Sequence, residues 1–115
     1  MDESTDKYYL EKMINNIVLI LEQSKGMSLE DYENNELVSS SISFKFVQIA
    51  ENMTHLSDKI INENDAIPWT KIKGMRNKIV HDYGNIVYYV IYNTINNDLP
   101  NLLDKLKSLL EKCDE

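Results

Sequence analysis

The side chains that could do chemistry are concentrated in residues 76–83, which read Arg-Asn-Lys-Ile-Val-His-Asp-Tyr. His81 can accept or donate a proton near neutral pH, because an imidazole titrates in that range. Arg76 is a permanent cation whose forked donors fit the oxygens of a phosphate group. Together the two residues are suited to proton transfer beside an anion.

Arg76 has an unusual place if residues 69–83 form a helix that turns by about 100° per residue. It then falls inside the apolar arc of that helix. Because a buried guanidinium without a partner is costly, we expect either a carboxylate from another helix or an anionic ligand beside it. A structural ion pair with Glu51 or Glu22 is the alternative in which Arg76 has no role in function. The arc contains Ile72, Met75, Ile79, Val80 and Tyr83.

His81 does not share that arc, since an ideal helix places it about 140° from Arg76. Asn77 is one helical turn from His81 and therefore lies next to it. Three arrangements would bring Arg76 and His81 together. The helix could loosen before Gly84, the Arg76 side chain could bend around its neighbours, or a second copy of the chain could complete the site.

The bulk composition predicts one globular domain over residues 1–115, with 43% hydrophobic and 27% charged residues. A net charge of -7 argues against a free-standing nucleic-acid binder, which usually carries basic stripes. It leaves room for a local basic patch on an enzyme. Lys71, Lys73, Arg76 and Lys78 place four of the twelve positive charges within eight positions, although a solvated helix face is an equally good interpretation.

Cys113 is the only cysteine, so no internal disulfide can form and the thiol fits a reducing compartment. The acidic start lacks the pattern of a signal peptide. No apolar run approaches the roughly 18 residues of a membrane span. We therefore expect a cytoplasmic protein without a membrane segment.

Apolar spacing predicts helices throughout and no strand, because no segment alternates. The expected class is all-α, an antiparallel four- to five-helix bundle. Ser28 and Asp31 form a predicted capping box that opens a brief turn, and Pro68 is placed to start a helix. The predicted helices cover residues 6–25, 35–62 and 69–83, a fourth from about residue 86, and a fifth after the break near Pro100.

The predicted second helix carries more apolar residues than one stripe needs. A homodimer is one explanation and a larger internal core is the other. The extra residues are Leu37, Val38, Ile42, Phe44 and Phe46.

Residues 67–83, which read Ile-Pro-Trp-Thr-Lys-Ile-Lys-Gly-Met-Arg-Asn-Lys-Ile-Val-His-Asp-Tyr, resemble the signature of the HepT-like branch of the HEPN superfamily. That signature has Ile-Pro-Trp, then Gly-Met-Arg-Asn, then Arg-x4-His-x-Tyr. Residues 97–100, Asn-Asp-Leu-Pro, are similar to the family's turn before its last helix, and residues 49–51 resemble a segment of its second helix. An Arg-x4-His pair alone would be weak, but the combination is specific and covers nearly the whole chain.

The resemblance implies a homodimeric or higher even-numbered assembly that is the toxin of a type II toxin–antitoxin system. Its activity would be metal-independent cleavage of RNA, with no cofactor. Arg76 and His81 would be catalytic and Asn77 would orient the histidine or touch phosphate. The implied partner is a minimal nucleotidyltransferase antitoxin that inhibits the toxin by attaching AMP to Tyr83. Since Tyr83 is seven residues from Arg76, such a group would lie over the cation in a helix.

RNA cleavage without a metal uses the 2′-hydroxyl as the nucleophile and needs proton transfer at the attacking and leaving oxygens. One Arg76–His81 pair is chemically incomplete, whereas a dimer supplies two histidines. Two other interpretations remain open: a non-catalytic helical subunit that binds and regulates a nucleotidyltransferase, and a nucleotide-binding domain in which Arg76 holds a phosphate. The aromatic residues Tyr88, Tyr89 and Tyr92 could stack bases, but packing is commoner at this spacing.

Overall fold

The computed structural model describes residues 3–81 and 88–113, and within them it contains helices and no strand. The expected all-α class is confirmed. None of the described helices is long and apolar enough to cross a membrane. Seven helices follow one another in the described residues: α1 Glu3–Ser24, α2 Leu29–Asn34, α3 Glu36–Met53, α4 Asp58–Glu63, α5 Trp69–His81, α6 Tyr88–Asn97 and α7 Leu99–Cys113.

Helix α1 is the centre of the bundle and packs against both α3 and α7. One face of α1 is fully buried, as expected for a helix with apolar residues at three- and four-residue spacing, while Ile14 and Leu21 are partly buried beside it. Contacts at its two ends show that α1 and α3 are antiparallel, because Asp6 meets Ser57 while Gln23 donates a hydrogen bond to Ser41. The buried stripe consists of Leu10, Met13, Ile17 and Ile20.

The prediction of one long helix over residues 35–62 was wrong. The chain leaves helix α3 after Met53 and starts α4 at Asp58. Ser57 is the N-cap of α4, and its hydroxyl accepts a hydrogen bond from the Ile60 N–H. The buried carboxylate of Asp6 in turn accepts hydrogen bonds from the Ser57 N–H and the Ser57 hydroxyl, at 2.8 and 2.7 Å. A contact with α1 thus fixes the break between α3 and α4.

The other boundaries agree closely with the sequence pattern. The capping box of Ser28 and Asp31 is present, but it opens the six-residue helix α2 rather than a turn. Asp98 alone separates α6 from α7, close to the predicted break before Pro100. The predicted end of the third helix at residues 83–85 and start of the fourth near residue 86 lie outside the described residues.

Candidate active site

Helix α5 carries the candidate residues, and its start is held firmly. The Pro68 carbonyl accepts hydrogen bonds from the N–H groups of Lys71 and Ile72, so the proline precedes the first turn as predicted. The indole of Trp69 donates a 3.0 Å hydrogen bond to the Asn64 carbonyl. Ile72 and Ile79 are buried against the core, and the helix packs on α3. These contacts fix the rotation of α5 and hence the directions of its polar side chains.

Arg76 is partly exposed rather than buried in the apolar stripe. Its side chain retains 36% of its accessible surface, and its guanidinium has two partners. One nitrogen, Nη2, lies 3.5 Å from Glu51 Oε1 on α3, and the other, Nη1, donates a 3.1 Å hydrogen bond to Asn77 Oδ1. Glu51 is itself 53% exposed, so this ion pair is screened by solvent and contributes little to stability. The expected carboxylate from another helix is present, but it holds Arg76 loosely.

Asn77 has a role that the sequence did not predict. The resemblance implies that it orients His81 or touches phosphate, and in the structure its amide oxygen accepts a hydrogen bond from Arg76. Because an amide oxygen can only accept, this contact directs one guanidinium nitrogen toward the Asn77 side of α5. Asn77 therefore positions the cation.

His81 is exposed and is the last residue of α5. The helix is continuous from Arg76 to His81, so it does not loosen between the two residues. Both guanidinium contacts among the described residues are with Glu51 and Asn77 rather than with His81. The structure thus brings Arg76, Asn77 and Glu51 together and leaves His81 on another side of the helix. Tyr83, the predicted modification site, lies outside the described residues.

A groove lies on the other face of α5, between this helix and the junction of α6 and α7. We call it the α5 groove, and its volume is about 590 Å³. Its floor is apolar and includes Phe46 and Ile49 of α3. The sequence pattern did not predict this groove, although a glycine flanked by lysines within one helix, Gly74 in α5, could have indicated an open position there. The α5 residues that line it are Lys71, Ile72, Gly74, Met75 and Lys78.

The other histidine, His55, and two of the three tyrosines considered for base stacking make contacts within the bundle. His55 stacks on Tyr9, with ring centroids 4.6 Å apart. Tyr88 packs edge-on against Tyr32, and the Tyr92 hydroxyl donates a 2.8 Å hydrogen bond to the Met27 carbonyl. These aromatic residues therefore stabilise the bundle. Tyr89 is 61% exposed and is the one tyrosine of this trio that faces solvent.

The extra apolar residues of the predicted second helix divide into two groups. Ile42 and Phe46 are buried in the core, as a larger internal core would require. Leu37 and Phe44 are 87% and 63% exposed, so the described residues leave most of both side chains uncovered. They are seven residues apart on α3 and therefore lie on one face. Val38 is partly buried against the core. The larger internal core therefore accounts for Ile42 and Phe46 but not for Leu37 and Phe44.

Comparison with known proteins identifies the family. The family model described as ribonuclease HepT-like matches residues 13–109, a span that includes α5 and most of the bundle. The chain belongs to the HepT-like ribonuclease family.

Related proteins agree with this assignment. A protein of Caldanaerobacter subterraneus subsp. tengcongensis that is named as an RNase is 29% identical over 94% of this chain and 96% of its own length. A protein of Thermococcus cleftensis named as a probable ribonuclease HepT is 29% identical over 90% of this chain and 94% of its own length. An RNase-named protein of Methanocaldococcus jannaschii is 20% identical over 96% of this chain and 92% of its own length. No solved structure matches this HepT-like chain.

The family confirms the expected class of enzyme, a ribonuclease, and the expected resemblance. Within the described residues, no three His, Cys, Asp or Glu side chains are grouped as metal ligands would be. The polar groups on α5 include the guanidinium of Arg76, the amide of Asn77 and the imidazole of His81. These can bind phosphate oxygens and move protons.

Proposed function

We propose that this HepT-like protein is a metal-independent endoribonuclease that cleaves RNA with Arg76 and His81, and that it is the toxin of a toxin–antitoxin system. The observation that carries the proposal is the state of Arg76. Its guanidinium is partly exposed and is held only by Asn77 and an exposed carboxylate. A phosphate can replace that carboxylate, because the pair is solvent-screened and guanidinium binds phosphate with two parallel hydrogen bonds.

The proposed reaction is a transesterification that transfers the phosphoryl group from the 5′-oxygen of the next nucleotide to the neighbouring 2′-oxygen. The 2′-oxygen attacks the adjacent phosphorus while its proton passes to the imidazole of one His81. The bond from phosphorus to the 5′-oxygen then breaks, and that oxygen receives a proton from a second, protonated imidazole. Arg76 stabilises the extra negative charge on the phosphorane oxygens. The products are a 2′,3′-cyclic phosphate and a 5′-hydroxyl, so neither a metal nor an oxidant is consumed.

The reaction needs a homodimer, because it uses two imidazoles and each chain supplies one His81. The divergence of Arg76 and His81 on a continuous helix supports this requirement. The exposed side chains of Leu37 and Phe44 offer an apolar surface that a second copy would cover. We expect Phe44→Asp to shift the protein toward monomer in sedimentation and to lower RNA cleavage in parallel.

A nucleotidyltransferase antitoxin that attaches AMP to Tyr83 is the proposed partner. The resemblance to the Arg-x4-His-x-Tyr motif supports this part of the proposal, since Tyr83 follows His81 by two positions. Added AMP would place a phosphate next to the cation that binds substrate phosphate. The intact mass of the protein purified with and without that enzyme measures the modification, and Tyr83→Phe is its control.

Substitution of the two histidines tests the catalytic assignment, because the chain has only His55 and His81. With a chelator present, we expect His81→Ala to abolish the formation of 2′,3′-cyclic phosphate ends, by at least about 100-fold. His55→Ala, which removes only a ring stacked on Tyr9, should retain cleavage. Equal cleavage by His81→Ala and the parent would disprove the assignment. An inactive parent that binds a nucleotidyltransferase tightly would instead support a regulatory subunit, for which the net charge of -7 is suited.

A further inference from the structure

The α5 groove has the size and lining of a ligand site. Its volume of about 590 Å³ lies within the range of small-molecule pockets, roughly 300 to 1,000 Å³. Buried apolar side chains from three helices form the floor: Phe46, Ile49, Ile72, Leu99 and Leu102. A flat apolar ligand would therefore be desolvated there.

The rim of the α5 groove is basic, although the whole chain is acidic. Lys71 and Lys78 on α5 and Lys105 on α7 line it, against one carboxylate, that of Asp98, among the lining residues of the described chain. Lys105 is held at the edge, because its ammonium donates a 3.0 Å hydrogen bond to the Ala66 carbonyl. In a chain with a net charge of -7, this concentration of cations favours an anionic occupant.

Gly74 supplies an independent reason to expect an occupant. It lies in the middle of α5, where glycine costs about 1 kcal/mol relative to alanine. No packing among residues 3–81 and 88–113 requires it, because a Cβ added there would meet none of their atoms within 4 Å. The missing side chain instead leaves the wall of the α5 groove open to something that approaches the helix backbone.

The lysine side of the α5 groove and the candidate catalytic residue His81 share one face of α5. Gly74, Lys78 and His81 follow at intervals of four and three residues, which places them on one face of the helix. Arg76 faces α3 instead, where it meets Glu51. A chain of phosphates that reaches His81 can therefore continue along the lysine side of the same helix.

From these observations we propose that the α5 groove binds a nucleotide of the RNA substrate next to the cleaved phosphate. Its base lies on the apolar floor and its phosphates lie on Lys71 and Lys78. The amides of Asn97 and Asn101, which also line the groove, can hydrogen-bond with the edge of the base. This inference rests on the proposed function, since it assigns the substrate contacts of that same site.

Filling the α5 groove tests the inference. The probe is a short single-stranded 2′-O-methyl RNA, which cannot be cleaved because its nucleophile is blocked. We expect Gly74→Leu to weaken binding by roughly tenfold, in line with the loss of one stacked or buried base. Thr70→Leu, which adds a side chain at an exposed position of the same helix outside the α5 groove, should bind like the parent. Melting temperatures verify that both variants remain folded.

Charge substitutions on one helix provide a second measurement. Lys78→Ala should lower the slope of log affinity against log salt by about 0.7, the value for one phosphate contact on a single strand. Lys73→Ala removes the same charge from the same helix but lies outside the α5 groove, so it should leave the slope unchanged. Equal slopes for both variants would contradict the proposal.

The two proposals fail in different ways. If Gly74→Leu binds and cleaves RNA like the parent, the α5 groove is not a substrate site, while the catalytic assignment stands. If His81→Ala still cleaves RNA but Gly74→Leu does not bind it, the catalytic assignment is wrong and the groove is retained. If Gly74→Leu changes the sedimentation of the protein together with its RNA affinity, the occupant is a second copy of the chain and the inference is overturned.

Discussion

Two carboxylates near the C-terminal end of α3 make contacts of opposite kind. Asp6 is 5% exposed, and both of its oxygens accept hydrogen bonds from Ser57, at 2.8 and 2.7 Å. Glu51 is 53% exposed and approaches Arg76 at 3.5 Å through one oxygen. The first contact joins α1 to the start of α4, whereas the second joins α3 to the helix that carries the candidate site.

The difference separates a contact that stabilises the fold from one that can be exchanged. A buried carboxylate with its hydrogen bonds satisfied is costly to disrupt, because the groups left behind are unpaired and far from water. An exposed ion pair contributes about 0 to 1 kcal/mol and forms and breaks readily. Arg76 is therefore available to a phosphate, while the bundle that carries it does not depend on Glu51.

Asp6→Ala should produce the largest effect on stability. It leaves the Ser57 N–H and hydroxyl without their acceptor, so we expect the free energy of unfolding to fall by about 2 to 4 kcal/mol. Chemical denaturation measures it. As a control, Asp58→Ala removes an exposed carboxylate from the first turn of α4, the helix that Ser57 caps. It should cost less than about 1 kcal/mol. Equal losses for the two variants would contradict the assigned role of Asp6.

The sequence correctly predicted the helices that depend on the spacing of nearby residues. It did not predict the helix boundary that depends on a contact with a distant segment. The stripe of α1 and the capping box of Ser28 are readable because their residues are within a few positions of one another. The break after Met53 was missed because its cause, Asp6, is 51 residues from Ser57. Apolar spacing continues from α3 into α4 and masks the break, although the Ser57 N-cap of α4 is a local signal for it.

The sequence likewise predicted the candidate site only in part. The motif indicated Arg76, Asn77 and His81, and helical spacing correctly indicated that the arginine and histidine diverge. Of the two carboxylates considered as partners of Arg76, Glu51 and Glu22, the structure places Glu51 beside it. The α5 groove could not be predicted, because its floor comes from helices whose relative placement depends on packing between distant segments.

Tyr32 extends the comparison to a buried group whose hydrogen bonds are not satisfied. It is fully buried, and its hydroxyl and the neighbouring Ser43 hydroxyl lack a well-aligned hydrogen-bond partner within the described chain. Desolvation raises the pKa of Tyr32 from 10.0 to about 12. The fold therefore favours the protonated phenol, and the stability that this gives is present below pH 10 and is lost as the pH rises toward 12.

Tyr32→Phe should change stability by less than about 1 kcal/mol at pH 7, since it removes an unpaired hydroxyl. Between pH 10 and 12 the variant should lose less stability than the parent, by up to about 2 to 3 kcal/mol at the upper limit. Denaturation across this pH range measures the difference. Tyr92→Phe, which removes a hydrogen bond to Met27, should instead cost about 1 kcal/mol at pH 7. An unchanged alkaline slope for Tyr32→Phe would show that the phenol is not desolvated.

Glu51→Gln should have the smallest effect on stability and the most direct effect on the site. The loss of an exposed ion pair should change the free energy of unfolding by less than about 0.5 kcal/mol. The guanidinium would then have no competing carboxylate, so we expect a few-fold tighter binding of uncleavable RNA, most visible at low salt because the contact is electrostatic. Glu11→Gln makes the same charge change on α1 and should leave affinity nearly unchanged. Weaker binding by Glu51→Gln would mean that Glu51 holds Arg76 in the position that binds RNA. The Glu51–Arg76 ion pair would then be a fixed contact, like the Asp6–Ser57 hydrogen bonds, and not an exchangeable one.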